Sequence, residues 1–108
     1  MLRVVLVTAP RRVALSLARR VVSERLAACA NIIPGLRSLY WWKGRLERSS
    51  EALLIFKTPA RNLRRLFARI RRLHPYEVPE ILALSVRAAH RPYAEWVARE
   101  SRPPRPRR

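Results

Sequence analysis

The spacing of apolar residues changes along the chain, and these changes divide it into strands and helices. Residues 2–8 are apolar at nearly every position, as in a strand covered on both faces, whereas residues 11–27 carry apolar side chains at helical intervals. The pattern predicts four strands, at 2–8, 28–42, 45–57 and 81–86, and three helices, at 11–27, 58–73 and 93–98. The order β-α-β-β-α-β with an extra C-terminal helix is typical of the ferredoxin-like sandwich, so the predicted fold class is α+β.

Proline, glycine and threonine mark the ends of these elements. Thr8 and Pro10 suit the start of the first helix, as a capping hydroxyl and a first-turn proline, and Thr58-Pro59 repeats this device at the second helix. Pro34-Gly35 interrupts the second strand and predicts a bulge or bend at a sheet edge. Lys43-Gly44 predicts a tight hairpin turn, because glycine adopts positive φ readily.

The predicted strands lack the alternation of apolar and polar side chains that is expected for a sheet with one solvent-exposed face. An isolated ferredoxin-like domain packs its helices on one face, so its strands should alternate apolar and polar side chains. The first, third and fourth strands are instead apolar on both faces. A bare second face would be a large exposed apolar patch, and another copy of the chain is the simplest cover for it. We therefore predict a homo-oligomer, with the long hairpin around Trp41 and Trp42 reaching toward a neighbour.

Composition limits the class of protein further. With 108 residues and 49% hydrophobic residues, the chain suits one domain, which we place at residues 1–100. Residues 101–108 form an Arg/Pro-rich tail without apolar side chains and are predicted to be disordered. The lone Cys29 excludes a disulfide framework, and no apolar run approaches the ~18–20 residues that span a bilayer. The N-terminal residues lack the features of a signal peptide, so we expect a cytoplasmic location.

The charge is strongly positive, with 24 Lys and Arg against 7 Asp and Glu and a net charge of +17. Such a balance favours a polyanionic partner, so a basic nucleic-acid-binding module is the alternative function. The arginines are nevertheless spread over every segment rather than gathered in one stripe, which is typical of solvated faces. This distribution disfavours nucleic acid as the partner without excluding it.

Several segments resemble those of a known family. They lie at 5–10, 24–35, 38–44, 57–58, 74–80 and 93–96, and the most specific are the run Leu-Ala-Ala-Cys at 26–29 and the run His-Pro-Tyr at 74–76. In order and spacing they are similar to the CutA family of divalent-cation tolerance proteins. The resemblance implies a ferredoxin-like fold assembled as a homotrimer similar to the PII signalling proteins. It also implies a role in tolerance of copper and other divalent cations, with copper binding in some members.

His74 is the candidate metal ligand, since a neutral imidazole binds Cu(II) or another divalent cation. Some metal-binding members of the family carry a Cys where this chain has Val7 and a second His where it has Leu73, so only His74 remains of that set. Glu77 and Glu80, or symmetry-related copies, would have to complete a site. The alternative is that His74 caps the second helix by donating to its free carbonyls. No cofactor is obligatory in either case.

Three further residues are candidates for a ligand cleft. Lys57, Tyr76 and Glu80 lie at the ends of predicted strands or loops, where a cleft between subunits would form. Lys57 also precedes a predicted helix, whose N-terminus would help it to bind a small anion. The alternative for Lys57 is an ion pair with a carboxylate.

The aromatic residues of the hairpin are candidates for a subunit interface. Tyr40 and Trp42 share one face of the predicted strand, and Trp41 takes the other. Such residues are enriched where subunits meet. Stacking on nucleic-acid bases is the alternative, but the aromatic signature of sheet-based RNA-binding domains is absent.

The chemistry available to an enzyme is sparse, with two His, one Cys and no Asp. We therefore predict a non-enzymatic, trimeric protein of divalent-metal (copper) tolerance. It would act by weak binding of a metal ion or small ligand at clefts between subunits.

Overall fold

The computed structural model describes residues 1–103. Strands and helices follow one another as β1 Leu2–Pro10, α1 Arg11–Ser23, β2 Cys29–Trp42, β3 Arg45–Pro59, α2 Leu63–Leu73, β4 Ile81–Ser85 and α3 Arg91–Glu100. The four strands form one antiparallel sheet in the order β2-β3-β1-β4. The predicted α+β class and the ferredoxin-like order of elements are confirmed.

The hydrophobic core lies between the sheet and the first two helices. Val5 and Val7 of β1 and Leu54 and Phe56 of β3 lie on the same side of the sheet and are fully buried. The helices contribute the rest of the core, with Ala14, Leu17, Ala18 and Val21 from α1 and Leu66 and Ile70 from α2. The residues that alternate with these in β1 and β3 belong to the opposite face, which we call the open face of the sheet.

Helix α1 ends at Ser23, before the predicted end at residue 27. Arg25 has a left-handed conformation with φ of 59°, and the amides of Arg25 and Leu26 donate to the carbonyls of Val22 and Val21 at 3.0 and 3.1 Å. These two bonds form a Schellman motif, which closes the C-terminus of a helix. Glycine usually occupies this left-handed position. Because arginine occupies it here, the sequence does not indicate that the helix ends at this point.

The predicted threonine caps are wrong. β1 continues through Thr8 to Pro10, and Pro10 precedes α1 without a side-chain cap. Thr58 likewise lies inside β3, where its hydroxyl donates to the Leu26 carbonyl at 2.7 Å, and a 3₁₀ turn at Ala60–Asn62 leads into α2. Both threonines pair in the sheet, so strand pairing outweighs capping at these positions.

The β2–β3 hairpin extends beyond the rest of the sheet. Its turn is the predicted one, with φ of 50° at Lys43 and 77° at Gly44, and the predicted bulge lies between Ile33 and Leu36. β1 pairs with β3 only as far as Glu51, so residues 37–50 pair with one another alone and form a two-stranded ribbon. An isolated two-stranded ribbon is marginally stable in water, so this one needs a further surface to pack against.

Helix α3 is slightly longer than predicted and is held by its C-terminal end. Val97 is buried, and the Asn62 side-chain amide donates to the Ser101 carbonyl at 2.8 Å. Ser101 is itself buried, although the sequence places it in the tail. Residues 104–108 of the predicted tail lie outside the described residues. No helix within residues 1–103 is long and apolar enough to cross a membrane.

Candidate functional site

A cleft of about 750 Å³ opens where β1 ends, between the ribbon and the loop that follows α2. It is lined by residues 38–42 of β2, by residues 75–80 of the loop, and by Thr8 and Glu51. β3 carries the ribbon on one side of β1, and the loop leads into β4 on the other side. The sheet order therefore brings together segments that are distant in the sequence.

Glu51 and Tyr76 join the loop to the sheet at this cleft. The Glu51 side chain is only 4% exposed, and the Tyr76 hydroxyl donates to its Oε2 at 2.9 Å. Burial, reinforced by the hydrogen bond to Glu51, raises the pKa of Tyr76 from 10.0 to about 12. Tyr76 therefore remains a protonated donor at neutral pH, and its bond to a carboxylate fixes the loop against β3.

His74 uses both ring nitrogens inside the fold. Its Nδ1 accepts a hydrogen bond from the Tyr76 amide at 3.1 Å, so Nε2 carries the proton and donates to the Thr8 carbonyl at 2.7 Å. Neither nitrogen offers a free lone pair to a metal ion in this arrangement. The alternative role as a cap of α2 is not observed either, because the donor bonds to β1. His74 instead anchors the loop to the end of β1.

Lys57 lies away from the cleft that Tyr76 and Glu80 line. It is six residues from Glu51 along β3, or roughly 20 Å at the rise of a strand. Its Nζ donates to Oδ1 of Asn31 on β2, rather than to the carboxylate of the alternative interpretation. Within one chain the structure thus brings together Tyr76 and Glu80 but not Lys57, and the predicted cleft between subunits stays a prediction.

The hairpin aromatics lie on the ribbon beside the cleft. Tyr40 and Trp42 alternate with Trp41 along β2, as the sequence predicts. Trp41 is 73% exposed, and the Ser49 hydroxyl donates to the Tyr40 hydroxyl at 3.3 Å across the ribbon. All three rings are accessible in the single chain, so their role at a subunit interface remains a prediction.

The cleft differs in charge from the rest of the chain. Glu51, Glu77 and Glu80 supply three of the seven side-chain carboxylates, and no lysine or arginine of the described part of the chain lines the cleft. In a chain with a net charge of +17, such a cleft is a local minimum in positive potential. Even so, within residues 1–103 no three His, Cys, Asp or Glu side chains are grouped closely enough to hold a metal ion. The single chain therefore offers acidic oxygens without a complete coordination shell.

Glu51 is the cleft residue that sequence reasoning misses. It directly precedes the apolar run at residues 52–56, and the sequence pattern indicates an ordinary surface carboxylate in a strand. One signal was available, because a charged residue next to a fully apolar strand segment must be exposed or paired. The pairing with Tyr76 depends on the loop folding back onto β3, which no local pattern reveals.

Comparison with known proteins gives a consistent result. The family model described as "CutA1 divalent ion tolerance protein" matches residues 3–100. The divalent-cation tolerance protein CutA of Thermus thermophilus is 46% identical over 95 residues, which cover 87% of this chain and 92% of that protein. The human protein CutA is 47% identical over 92 residues, covering 84% of this chain and 51% of that longer protein.

Solved structures are similar over nearly the whole chain. The structure of a divalent cation tolerance protein from Thermus thermophilus superimposes with a TM-score of 0.89 at 44% identity, covering 93% of this chain and 98% of that one. A protein from Nostoc described as a PII-like CutA in apo form gives a TM-score of 0.89 at 34% identity, covering 93% and 97%. The sheet, the helices and the long hairpin are therefore features shared with these proteins.

Proposed function

Because the chain belongs to the CutA1 family of divalent ion tolerance proteins, we propose that it acts in divalent-metal tolerance by weakly binding a cation in the cleft beside the ribbon. Cu(II) is the metal that the family resemblance suggests. The observation that supports the proposal best is that Glu51, Glu77 and Glu80 line a cleft that no basic side chain of residues 1–103 lines. A cation entering it meets carboxylate oxygens in a protein that elsewhere repels positive charge.

Self-association completes the cleft in this proposal. On the open face, Ile33, Leu82 and Leu84 are about half exposed, and on the ribbon Leu39 and Trp41 are more than two-thirds exposed. Apolar groups in this number favour contact with further copies of the chain over contact with water. We propose a homotrimer, in keeping with the description of the Nostoc relative as PII-like. A neighbouring subunit would then supply the ligands that one chain lacks.

Catalysis has no part in the proposed role. The thiol of Cys29 contacts the Tyr93 hydroxyl at 3.5 Å rather than a histidine. Both nitrogens of His74 are engaged by backbone groups. Neither residue therefore forms the pair of nucleophile and base on which covalent catalysis depends.

The proposed location is the cytoplasm. Relatives are named with other locations, chloroplastic for the rice protein and periplasmic for the one from Archaeoglobus fulgidus. Fractionation of the source cells with an antibody against the chain tests this location.

Calorimetric titration of the full chain, free of any affinity tag, with Cu(II) tests the cleft. We expect heat of binding that the double variant E77Q/E80Q loses and that the matched double variant E24Q/E95Q, with its changes outside the cleft, retains. Fluorescence should also be quenched by Cu(II), because Trp41 and Trp42 line the cleft. An unchanged heat of binding in E77Q/E80Q would show that Cu(II) does not bind in the cleft. The absence of any heat of binding in the native protein would refute metal binding.

A further inference from the structure

The outer surface of α1 and α2, with the 3₁₀ turn before α2, carries a concentration of positive charge. We call this surface the helix layer. Its helices contain ten arginines and no carboxylate. In the sequence these arginines appear as two separate groups, at 11–20 and 61–72, and only the packing of both helices on one side of the sheet joins them.

Most of these arginines have no partner within the described residues. Arg69 forms an ion pair with Glu24 at 2.8 Å, and Arg61 and Arg65 donate to the Ala98 carbonyl and the Asn62 side chain. The remaining seven make no ion pair or side-chain hydrogen bond within residues 1–103 and are exposed: Arg11, Arg12, Arg19, Arg20, Arg64, Arg71 and Arg72. Their charge is thus available to a partner.

The arrangement opposes the stability of the helices that carry it. Arg61 and Arg65 lie four residues apart, where like charges repel, and both donate only to uncharged oxygens. Arg11 and Arg12 lie in the first turn of α1, where the helix dipole favours acidic residues, and that turn contains none. A polyanion bound to the helix layer would remove both sources of repulsion.

The helix layer also contains an open groove along α1. Its volume is about 520 Å³, and it is lined by Arg12, Leu15, Ser16, Arg19, Arg20 and Ser23. Three guanidinium groups in one groove are side chains that proteins use against phosphate oxygens, whereas Ser16 and Ser23 donate their hydroxyl protons to carbonyls of α1. The groove therefore suits phosphates along a backbone.

The helix layer lies on the side of the sheet that self-association leaves free. The exposed apolar residues Leu82 and Leu84 are on the open face, opposite the helices. An assembly formed through the open face alone leaves α1 and α2 in contact with solvent, because they pack on the opposite side of the sheet. Several copies of the layer would then be presented at once, which strengthens binding to a long partner.

We propose that the helix layer binds the phosphate backbone of a nucleic-acid duplex without reading its sequence. α1 is 13 residues long, or about 20 Å, a length over which a duplex presents about 12 phosphate charges. The two helices contain no Trp or Tyr, and their one Phe, Phe67, is partly buried against the core, so the bases of a single strand find little aromatic surface on which to stack. Leu15 is the one large apolar side chain of the two helices that is strongly exposed, so the layer has little to insert into a lipid surface.

Fluorescence anisotropy with a labelled DNA duplex of about 20 base pairs tests the proposal on the full, tag-free chain. If each contact face neutralises about five phosphates, affinity should fall about 500-fold between about 50 and 200 mM salt. The helix-layer variant is R12Q/R19Q/R64Q/R71Q. The control variant, with the same change in net charge at exposed positions outside the layer, is R37Q/R48Q/R87Q/R91Q.

We expect the helix-layer variant to lose at least tenfold in affinity for the duplex and the control variant to lose less than threefold. Equal losses would mean that binding follows net charge alone, and would overturn it. So would a loss seen only in the tail variant R105Q/R107Q/R108Q, or binding to anionic phosphatidylserine vesicles without binding to the duplex. Gel filtration of each variant confirms that folding and assembly are unchanged. The result is independent of cation binding in the cleft, because the two experiments use different surfaces.

Discussion

The two faces of the central sheet have similar side chains and opposite surroundings. Leu54 on the helix face is fully buried, whereas Leu84 on the open face is 47% exposed. Both are leucines in strands of the same sheet. The difference arises because α1 and α2 both pack on one side, so the single chain supplies a cover for one face only. The apolar residues of the strands therefore predict that both faces of the sheet need to be buried. The position of the helices decides which face is buried within the single chain.

The largest expected effect compares the same substitution on the two faces. Leu54→Ala should lower the free energy of unfolding by about 2–5 kcal/mol, because it leaves a cavity in a closed core. Leu84→Ala should cost about half as much or less in the single chain, since half of that side chain already contacts water. Denaturant unfolding of both variants measures the difference at a dilution where light scattering finds a single subunit, because the proposed assembly would bury Leu84. Equal losses would show that Leu84 is packed as tightly as Leu54, and would remove the contrast between the faces.

Leu84→Glu tests what covers the open face. A carboxylate placed in an apolar contact between copies is costly to desolvate, so we expect association to weaken at least 100-fold, or about 2.7 kcal/mol. Light scattering should then detect the single chain of 12.6 kDa at concentrations where the native protein is larger. The exposed helix-layer variant Leu15→Glu is the matched control and should leave the assembly intact. A native protein that is already a single subunit would refute the assembly.

The smallest expected effect concerns the hydrogen bond that joins the loop after α2 to β3. Tyr76→Phe removes the donor to the buried Glu51 carboxylate and should cost about 1.5–3 kcal/mol at neutral pH, with the lower end expected for a half-buried hydroxyl. Urea unfolding of the variant measures this loss. A change of less than a few tenths of a kcal/mol would show that the bond does not hold the loop.

Alkaline pH gives a second measurement on the same bond. The pKa of Tyr76 is raised from 10.0 to about 12 in the folded chain, so the folded state favours the protonated hydroxyl. Its contribution is therefore complete below pH 10 and is lost as pH rises toward about 12. Tyr76→Phe should make the decline of stability over this interval less steep. Tyr93, whose pKa burial also raises to about 12, continues to titrate in that variant and provides the remaining slope.

Local signals predicted part of the architecture and failed where distant groups compete. The hairpin turn at Lys43-Gly44 and the bulge at Pro34-Gly35 were both predicted correctly, because each depends on the φ that its own residues allow. The end of α1 was not, since Arg25 takes a conformation usually reserved for glycine. The predicted role of Thr8 as a cap failed because its strand continues for two more residues.

The site residues follow the same division. The sequence placed Tyr76 and Glu80 in one loop, and both line the cleft. It could not place Glu51 there, nor show that the ring of His74 is held between the Thr8 carbonyl and the Tyr76 amide. From the sequence alone the arginines were also predicted to be dispersed, whereas ten of them lie together on the helix layer of the folded chain.

The sequence by itself determined the order of strands and helices, the family and the need for a second apolar surface, because periodicity, turn residues and composition act locally or additively. Tertiary structure decided which face of the sheet stays open, which carboxylates line the cleft and where the positive charge accumulates. These depend on the side to which α1 and α2 pack and on the pairing of β1 between β3 and β4. Such contacts join residues far apart in the chain, and their free energy is a property of the assembled layers rather than of any segment.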